Sequence, residues 1–187
     1  MRLFIGIPLA EETSAELSVL VSRLRLRAAS LRWSPPESWH ITLQFLGNAT
    51  QAQMDCLTTH LGQVRSAPVS LKLAELGSFE RAGVLFADVV VSPALAALQE
   101  RVVDVTRRCG FLAEVRPFHP HITLARKSGS EGAGLQRTPL GPLARWAKPT
   151  RLTPFAAHEF LLYESHTDPE GARYQVRGRF SLNSRLG

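Results

Sequence analysis

The tetrapeptide His-Ile-Thr-Leu occurs twice, at His40–Leu43 and at His121–Leu124, in a chain with only six histidines. The other four, His60, His119, His158 and His166, run into unrelated residues. On an extended strand, residues i and i+2 share a face and lie roughly 6.5–7 Å apart. His40 and Thr42 then stand side by side while Ile41 and Leu43 point into a core, and His121 and Thr123 repeat the arrangement. An imidazole beside a hydroxyl suits a phosphate: the hydroxyl donates to a non-bridging oxygen, and the imidazole moves a proton near neutral pH. Displacement at phosphorus runs in line, with nucleophile and leaving group on opposite sides of the atom. Two such strands facing one cleft supply one imidazole for each proton, so this chemistry requires no metal.

The elements that must position these residues follow from the pattern. Arg2–Pro8 is an apolar run ended by proline, a buried strand. Glu11–Ala29 carries Leu17, Leu20, Val21 and Leu24 at helical spacing. The segment WSPPES cannot be helical, because its prolines restrict the backbone, and it leads into a strand from His40 to Phe45. Thr50 and Gln53 form a capping box for a helix that turns Met54, Leu57, Leu61 and Val64 inward. Val69–Glu75 and Gly83–Val91 read as strands. Ser92 and Pro93 then open a helix burying Leu95, Leu98, Val102 and Val105, which Gly110 stops. After the second motif come a Gly-rich loop, Gly129–Gly134, and two closing strands, Phe155–Tyr163 and Tyr174–Leu182, split by the turn TDPEGA. The order lacks strict strand–helix alternation, so the expected class is α+β with mostly antiparallel sheets and helices outside. A duplicated half, facing itself across a pseudo-two-fold axis with a central cleft between two lobes, accounts for the repeated motif.

Composition sets the outer bounds. With 187 residues, 44% of them apolar and 20% charged, the profile is that of an ordinary globular protein. A chain of this size buries roughly 70% of its unfolded surface and needs no metal or disulfide staple. No apolar run reaches the length of a membrane span. The start, MRLFIGIPLAEE, reads as a strand entering a helix rather than a secretory signal, so a cytoplasmic location is expected. Cys56 and Cys109 are the only cysteines; lacking C-x-x-C spacing and falling in separate helices, they are expected to be packed thiols, not a disulfide. Net charge is +6, from 22 Lys and Arg against 16 Asp and Glu. The excess is mainly arginine, a mild basic field suited to a phosphate-bearing partner.

HITLQFLG and PFHPHITLARK resemble the paired His-x-Thr-x motifs of the two-histidine (2H) phosphoesterases. They are most similar to the RNA 2′,3′-cyclic phosphodiesterases, also described as 2′-5′ RNA ligase-like. MRLFIGIPL is similar to the first strand of that family, and FLLYESHTDPEGARYQV to its closing strands. The resemblance implies one 2H phosphoesterase domain over residues 1–187, built from two interleaved lobes, without cofactor or metal and monomeric. It implies opening of an RNA-terminal 2′,3′-cyclic phosphate to a 2′-phosphate, with weak reverse 2′-5′ ligation. The expected partners are RNA ends or nucleotides bearing that cyclic phosphate, and no membrane. It also implies that His40 is the proton donor, His121 the acceptor, an order that the two equivalent motifs do not themselves fix, and that Thr42 and Thr123 are their phosphate-binding partners. Arg126 matches an arginine that follows the second motif and could clamp phosphate. Strand parity from His121 puts position 126 on the opposite face, and a strand end or bulge after Ala125 would bring it back.

Alternatives remain open at this stage. The substrates could be small cyclic nucleotides or 2′-5′ oligonucleotides, or the cleft could bind RNA ends without catalysis. His119 and His121 form an H-x-H pair that could present two ligands to zinc, although Pro120 between them and the idle threonines speak against it. Aromatic residues are 7% of the chain, and Phe4, Phe45, Phe118 and Tyr163 are candidates for stacking on a base.

Overall fold

The computed structural model describes residues 1–127, 139–146, 152–168 and 171–183. Strand β1 (Arg2–Pro8) buries Leu3 through Ile7 without interruption, as its apolar run requires. Helix α1 (Glu11–Arg25) sets Leu17, Leu20, Val21 and Leu24 into the core. Glu11 and Glu12 in its first turn and Arg23 and Arg25 in its last complement the helix dipole. The short β2 (Arg32–Trp33) and a 3₁₀ turn over Pro36–Ser38 lead into β3 (His40–Asn48). Helix α2 (Gln51–Leu61) opens on the expected capping box, each side chain of Thr50 and Gln53 accepting from the other's backbone N–H. Three strands follow, β4 (Val69–Leu71), β5 (Leu73–Phe79) and β6 (Val84–Val89). Helix α3 (Pro93–Arg108) is capped by Ser92, whose hydroxyl accepts from Leu95 N–H, and the chain leaves it through Gly110 at φ 85°. Then come β7 (His121–Arg126), α4 (Leu140–Trp146), β8 (Phe155–Ala157), β9 (Glu159–Asp168) and β10 (Gly171–Ser181).

Two four-stranded sheets run in the orders β10-β9-β1-β3 and β2-β7-β6-β5, and β4 and β8 form a separate pair. Every pairing among the described residues is antiparallel, so the α+β class with mostly antiparallel sheets holds. The two larger sheets share a plan. In one, β9-β1-β3 carries α1 between β1 and β3; in the other, β5-β6-β7 carries α3 between β6 and β7. The two motif strands, β3 and β7, pack against each other. Ile5 and Ile41 from the first sheet and Ala87 and Ile122 from the second join one continuous apolar core.

Several boundaries differ from the sequence reading. Val69–Glu75 is two strands: the chain leaves the β4–β8 pair at Lys72, whose carbonyl accepts from Val90 N–H, and enters another sheet. Phe155–Tyr163 breaks the same way at His158, whose carbonyl accepts from Leu182 N–H. Apolar periodicity cannot reveal such a break when both pieces are buried. In α3, Thr106 takes the buried position expected of Val105, because its hydroxyl finds partners in Gln44 Oε1 at 2.8 Å and the Val103 carbonyl at 2.9 Å. Helix α4 and the two-residue β2 were not anticipated. The loop Gly129–Gly134 lies outside the described residues.

The cysteines require a correction. Cys56 and Cys109 are joined in a disulfide, with Cα atoms 5.8 Å apart across 53 residues of sequence. Helices α2 and α3 lie side by side and bring the two residues within bonding range. Sequence spacing could not signal this, since the pairing depends on how the two helices dock. No helix among the described residues is long and apolar enough to cross a membrane.

Candidate active site

Both motif strands carry the same irregularity. In β3, Ile5 pairs with Gln44 and Gly6 with Thr42, which leaves Leu43 as an extra residue. In β7, Leu85 pairs with Ala125 and Phe86 with Thr123, which leaves Leu124 extra. Each bulge puts two consecutive residues into the core, Leu43 with Gln44 and Leu124 with Ala125. Side-chain parity then resets. Phe45 and Arg126, each the sixth residue of its strand, emerge exposed on the side of the motif's His and Thr. Arg126 therefore stands on the histidine face, by a bulge one residue earlier than the parity argument contemplated.

Each histidine is held by a backbone carbonyl two residues before it. His40 Nδ1 lies 2.7 Å from the Ser38 carbonyl oxygen, and His121 Nδ1 lies 2.8 Å from that of His119. A carbonyl only accepts, so each Nδ1 carries the proton and each neutral ring leaves a bare lone pair on Nε2. The Ser38 carbonyl lies at the end of the 3₁₀ turn over Pro36–Ser38, and the His119 carbonyl immediately precedes Pro120.

The walls around the rings are aromatic. His40 sits 4.6 Å from the Phe4 ring, 5.1 Å from Tyr174 edge-on and 5.7 Å from Tyr163. Gly6, beside it on β1, has no Cβ to fill the space: one would lie 3.3 Å from His40 Cδ2 and 3.0 Å from the Ile41 carbonyl. His121 is flanked by Phe86 at 5.1 Å, Phe79 at 5.2 Å and His119 at 5.7 Å. Burial among these rings is the largest influence on both imidazoles. With the other influences included, His40 is lowered to about 4 and His121 lies below the ordinary histidine value. Arg126 adds a further downward push on both, and His121 one on His40. Asp88, the cross-strand partner of His121, opposes the shift there. Burial also raises Tyr163 to about 12 and raises Tyr174, so both phenols stay protonated donors near neutral pH.

The family model described as LigT like phosphoesterase matches residues 7–86 and 88–174. The chain belongs to this family. It is 33% identical over 184 residues to an RNA 2′,3′-cyclic phosphodiesterase of Geobacillus stearothermophilus, covering 96% of this chain and 56% of that one. The chain thus spans little more than half the length of that relative. Among solved structures it superposes on TT0787 of Thermus thermophilus with a TM-score of 0.77 and 27% identity, covering 99% of this chain and all of that one. It also superposes on Escherichia coli LigT complexed with 3′-AMP, with a TM-score of 0.75 and 26% identity over 97% of each chain.

In this LigT-like phosphoesterase His40 and Thr42 on β3 and His121, Thr123 and Arg126 on β7 lie on two strands that pack against each other, and two cavities border them. The larger, of about 700 Å³, is lined by Thr42, Phe45, Phe79, Arg107, His119 and His121 among others. The smaller, of about 310 Å³, is lined by Arg32, Trp33, Glu37, Arg126, Arg173 and Tyr174 among others. Of the stacking candidates, Phe4 and Tyr163 are buried in the wall behind His40. Phe118 is half-buried against the core, and Phe45 is 56% exposed. The H-x-H pair is already engaged: His119 Nε2 meets Asp88 Oδ1 at 3.0 Å, and His121 Nδ1 meets the His119 carbonyl. No grouping of three or more His, Cys, Asp or Glu suited to a metal ion occurs among the described residues. Sequence reasoning missed Asp88, Phe79, Phe86, Tyr174 and the glycines Gly6 and Gly77. An isolated glycine within a strand was the one available signal.

Proposed function

We propose that this LigT-like phosphoesterase opens RNA-terminal 2′,3′-cyclic phosphates to 2′-phosphates, with residues 1–187 acting as one unit of two interleaved lobes. The carrying observation is the matched pair of His-x-Thr strands, bulged alike, with each Nδ1 tied to a carbonyl so that the lone pair of the neutral ring falls on Nε2. In this mechanism His121 Nε2 takes a proton from the attacking water as its oxygen bonds to phosphorus. The bond from phosphorus to the 3′ oxygen breaks, and His40 delivers a proton to that oxygen. A donor with a lowered pKa is a strong acid once protonated, and the anionic phosphate supplies the counter-charge that lets it hold its proton. Thr42 and Thr123 donate to non-bridging oxygens, and Arg126 offsets the charge that builds on them. Joining of ends uses the same groups with a 5′-hydroxyl in place of water: its oxygen bonds to phosphorus as the 3′ oxygen leaves, which gives a 2′-5′ linkage. The names of the relatives support this substrate class, and the two imidazoles account for both protons without a metal.

The test is hydrolysis of an RNA ending in a 2′,3′-cyclic phosphate by EDTA-treated protein, with the product read by phosphorus NMR. A single 2′-phosphate resonance at an unchanged rate is expected. A 3′-phosphate product would reverse the assignment of the leaving oxygen. Activity lost to EDTA and restored by zinc would promote the His119–His121 pair to a metal site.

A further inference from the structure

Arg32 and Arg126 are direct cross-strand neighbours on β2 and β7. Like charges placed opposite each other on antiparallel strands destabilise the pair. A third arginine, Arg173 of β10, lines the same 310 Å³ cavity, where Glu37 is the one acidic residue of the lining. Trp33 forms part of the wall, with its indole N–H fixed on the Ala28 carbonyl at 3.0 Å. The inner end of this groove is the catalytic region itself: Tyr174 stands edge-on to His40, and Arg126 acts on both histidines.

The lining of the larger cavity carries more carboxylates than arginines, Glu100, Asp104 and Glu114 against Arg107 and Arg116, whereas arginines outnumber the one carboxylate in the groove. A polyanion leaving the catalytic region is therefore drawn toward the arginine groove and away from the larger cavity.

We propose that the groove of Arg32, Arg126 and Arg173 binds the phosphodiester next to the terminal cyclic phosphate, on its 5′ side, and so selects single-stranded RNA ends over cyclic mononucleotides. The proposal rests on the cyclic phosphodiesterase reading and names the substrate class of that site. Arg126 lies between the two phosphates, while Arg32 and Arg173 meet only the upstream one. A mononucleotide fills the catalytic end and leaves the groove empty.

The experiment compares uridine 2′,3′-cyclic phosphate with a tetraribonucleotide ending in the same group, using wild-type protein and Arg32→Gln/Arg173→Gln. Wild type should process the tetranucleotide with a kcat/KM at least tenfold higher. Its salt dependence should also be steeper, by a slope of roughly 0.7 for each added phosphate contact. The double variant should lose that advantage through KM, with mononucleotide turnover changed less than twofold, and Arg32→Lys/Arg173→Lys should restore most of it. Equal losses on both substrates, or none on the tetranucleotide, would overturn the groove while leaving the phosphodiesterase reading intact. If wild type turns over neither substrate, that reading fails. Fluorescence anisotropy with a labelled tetranucleotide carrying a 3′-terminal phosphate then judges the groove alone, and tenfold weaker binding by the Gln variant is the supporting result.

Discussion

A Cβ placed on Gly77 would lie 2.5 Å from the ring of Phe86. The two residues pair across β5 and β6, and the Phe86 ring in turn flanks His121. The missing side chain of one residue thus sets the position of the ring that flanks His121 from the neighbouring strand. Gly77→Ala should force the ring toward His121 or splay the strands, destabilising the fold by about 1–3 kcal/mol. Turnover should fall more than the stability loss explains at a temperature where the variant is fully folded. Thermal melting alongside kcat tests this; unchanged kcat in the folded variant would show that the Phe86 position is not critical.

The pH dependence follows from both imidazoles being lowered. In free protein each is neutral above its own lowered value, and the working form needs one neutral and one protonated ring. The profile of kcat/KM, which reports the free protein, should peak between about 4 for His40 and the lowered His121 value, that is, on the acid side of ordinary histidine. Its alkaline limb should fall tenfold per pH unit. Bound phosphate stabilises the imidazolium, so the kcat profile should lie at higher pH than that of kcat/KM. Arg126→Gln removes a downward push on both rings and should move the kcat/KM limbs upward. The limbs belong to the coupled pair rather than to single residues.

Loss of either imidazole should be severe and loss of either hydroxyl moderate. His40→Ala and His121→Ala should each lower kcat on the order of 100- to 10,000-fold with thermal stability preserved. Thr42→Ala and Thr123→Ala should each cost about 1–3 kcal/mol in kcat/KM, and Thr→Ser much less. Full turnover by either histidine variant would exclude paired acid–base catalysis.

The disulfide predicts a redox-dependent melting temperature. Closing 53 residues between Cys56 and Cys109 is worth about 4 kcal/mol in the chain-entropy account. For a domain of this size that corresponds to a fall of roughly 8–16 °C on reduction. Calorimetry with and without a thiol reductant, and of Cys56→Ser/Cys109→Ser, measures it. Identical transitions would mean the bond adds nothing over two packed thiols.

What could be read from sequence was local. The Thr50–Gln53 box, the Ser92-Pro93 start and the Gly110 stop each encode their own geometry within a few residues, and helices α2 and α3 lie where those signals put them. The His-x-Thr spacing placed its residues on one face for the same reason. Features that depend on docking stayed hidden. The Cys56–Cys109 bond needs α2 beside α3, and the break at Lys72 needs two sheets competing for one apolar run. Arg126 depended on Leu124 being doubled against β6, which no alternation pattern announces. The aromatic walls of Phe79, Phe86 and Tyr174 come from strands distant in the chain, so nothing in the sequence ties them to either histidine.

The shared bulges carry a consequence for how a near-symmetric scaffold serves an unsymmetric molecule. A nucleic acid strand has a direction, and two identical half-sites would receive it equally well in either sense. Because Leu43 and Leu124 are extruded alike, the sixth residue of each strand returns to the working face without disturbing the four before it. Those sixth residues are an aromatic ring in one half, Phe45, and a cation in the other, Arg126. On the proposed function, the two His-x-Thr tetrapeptides can remain alike while the adjoining position breaks the degeneracy and gives the substrate a head and a tail.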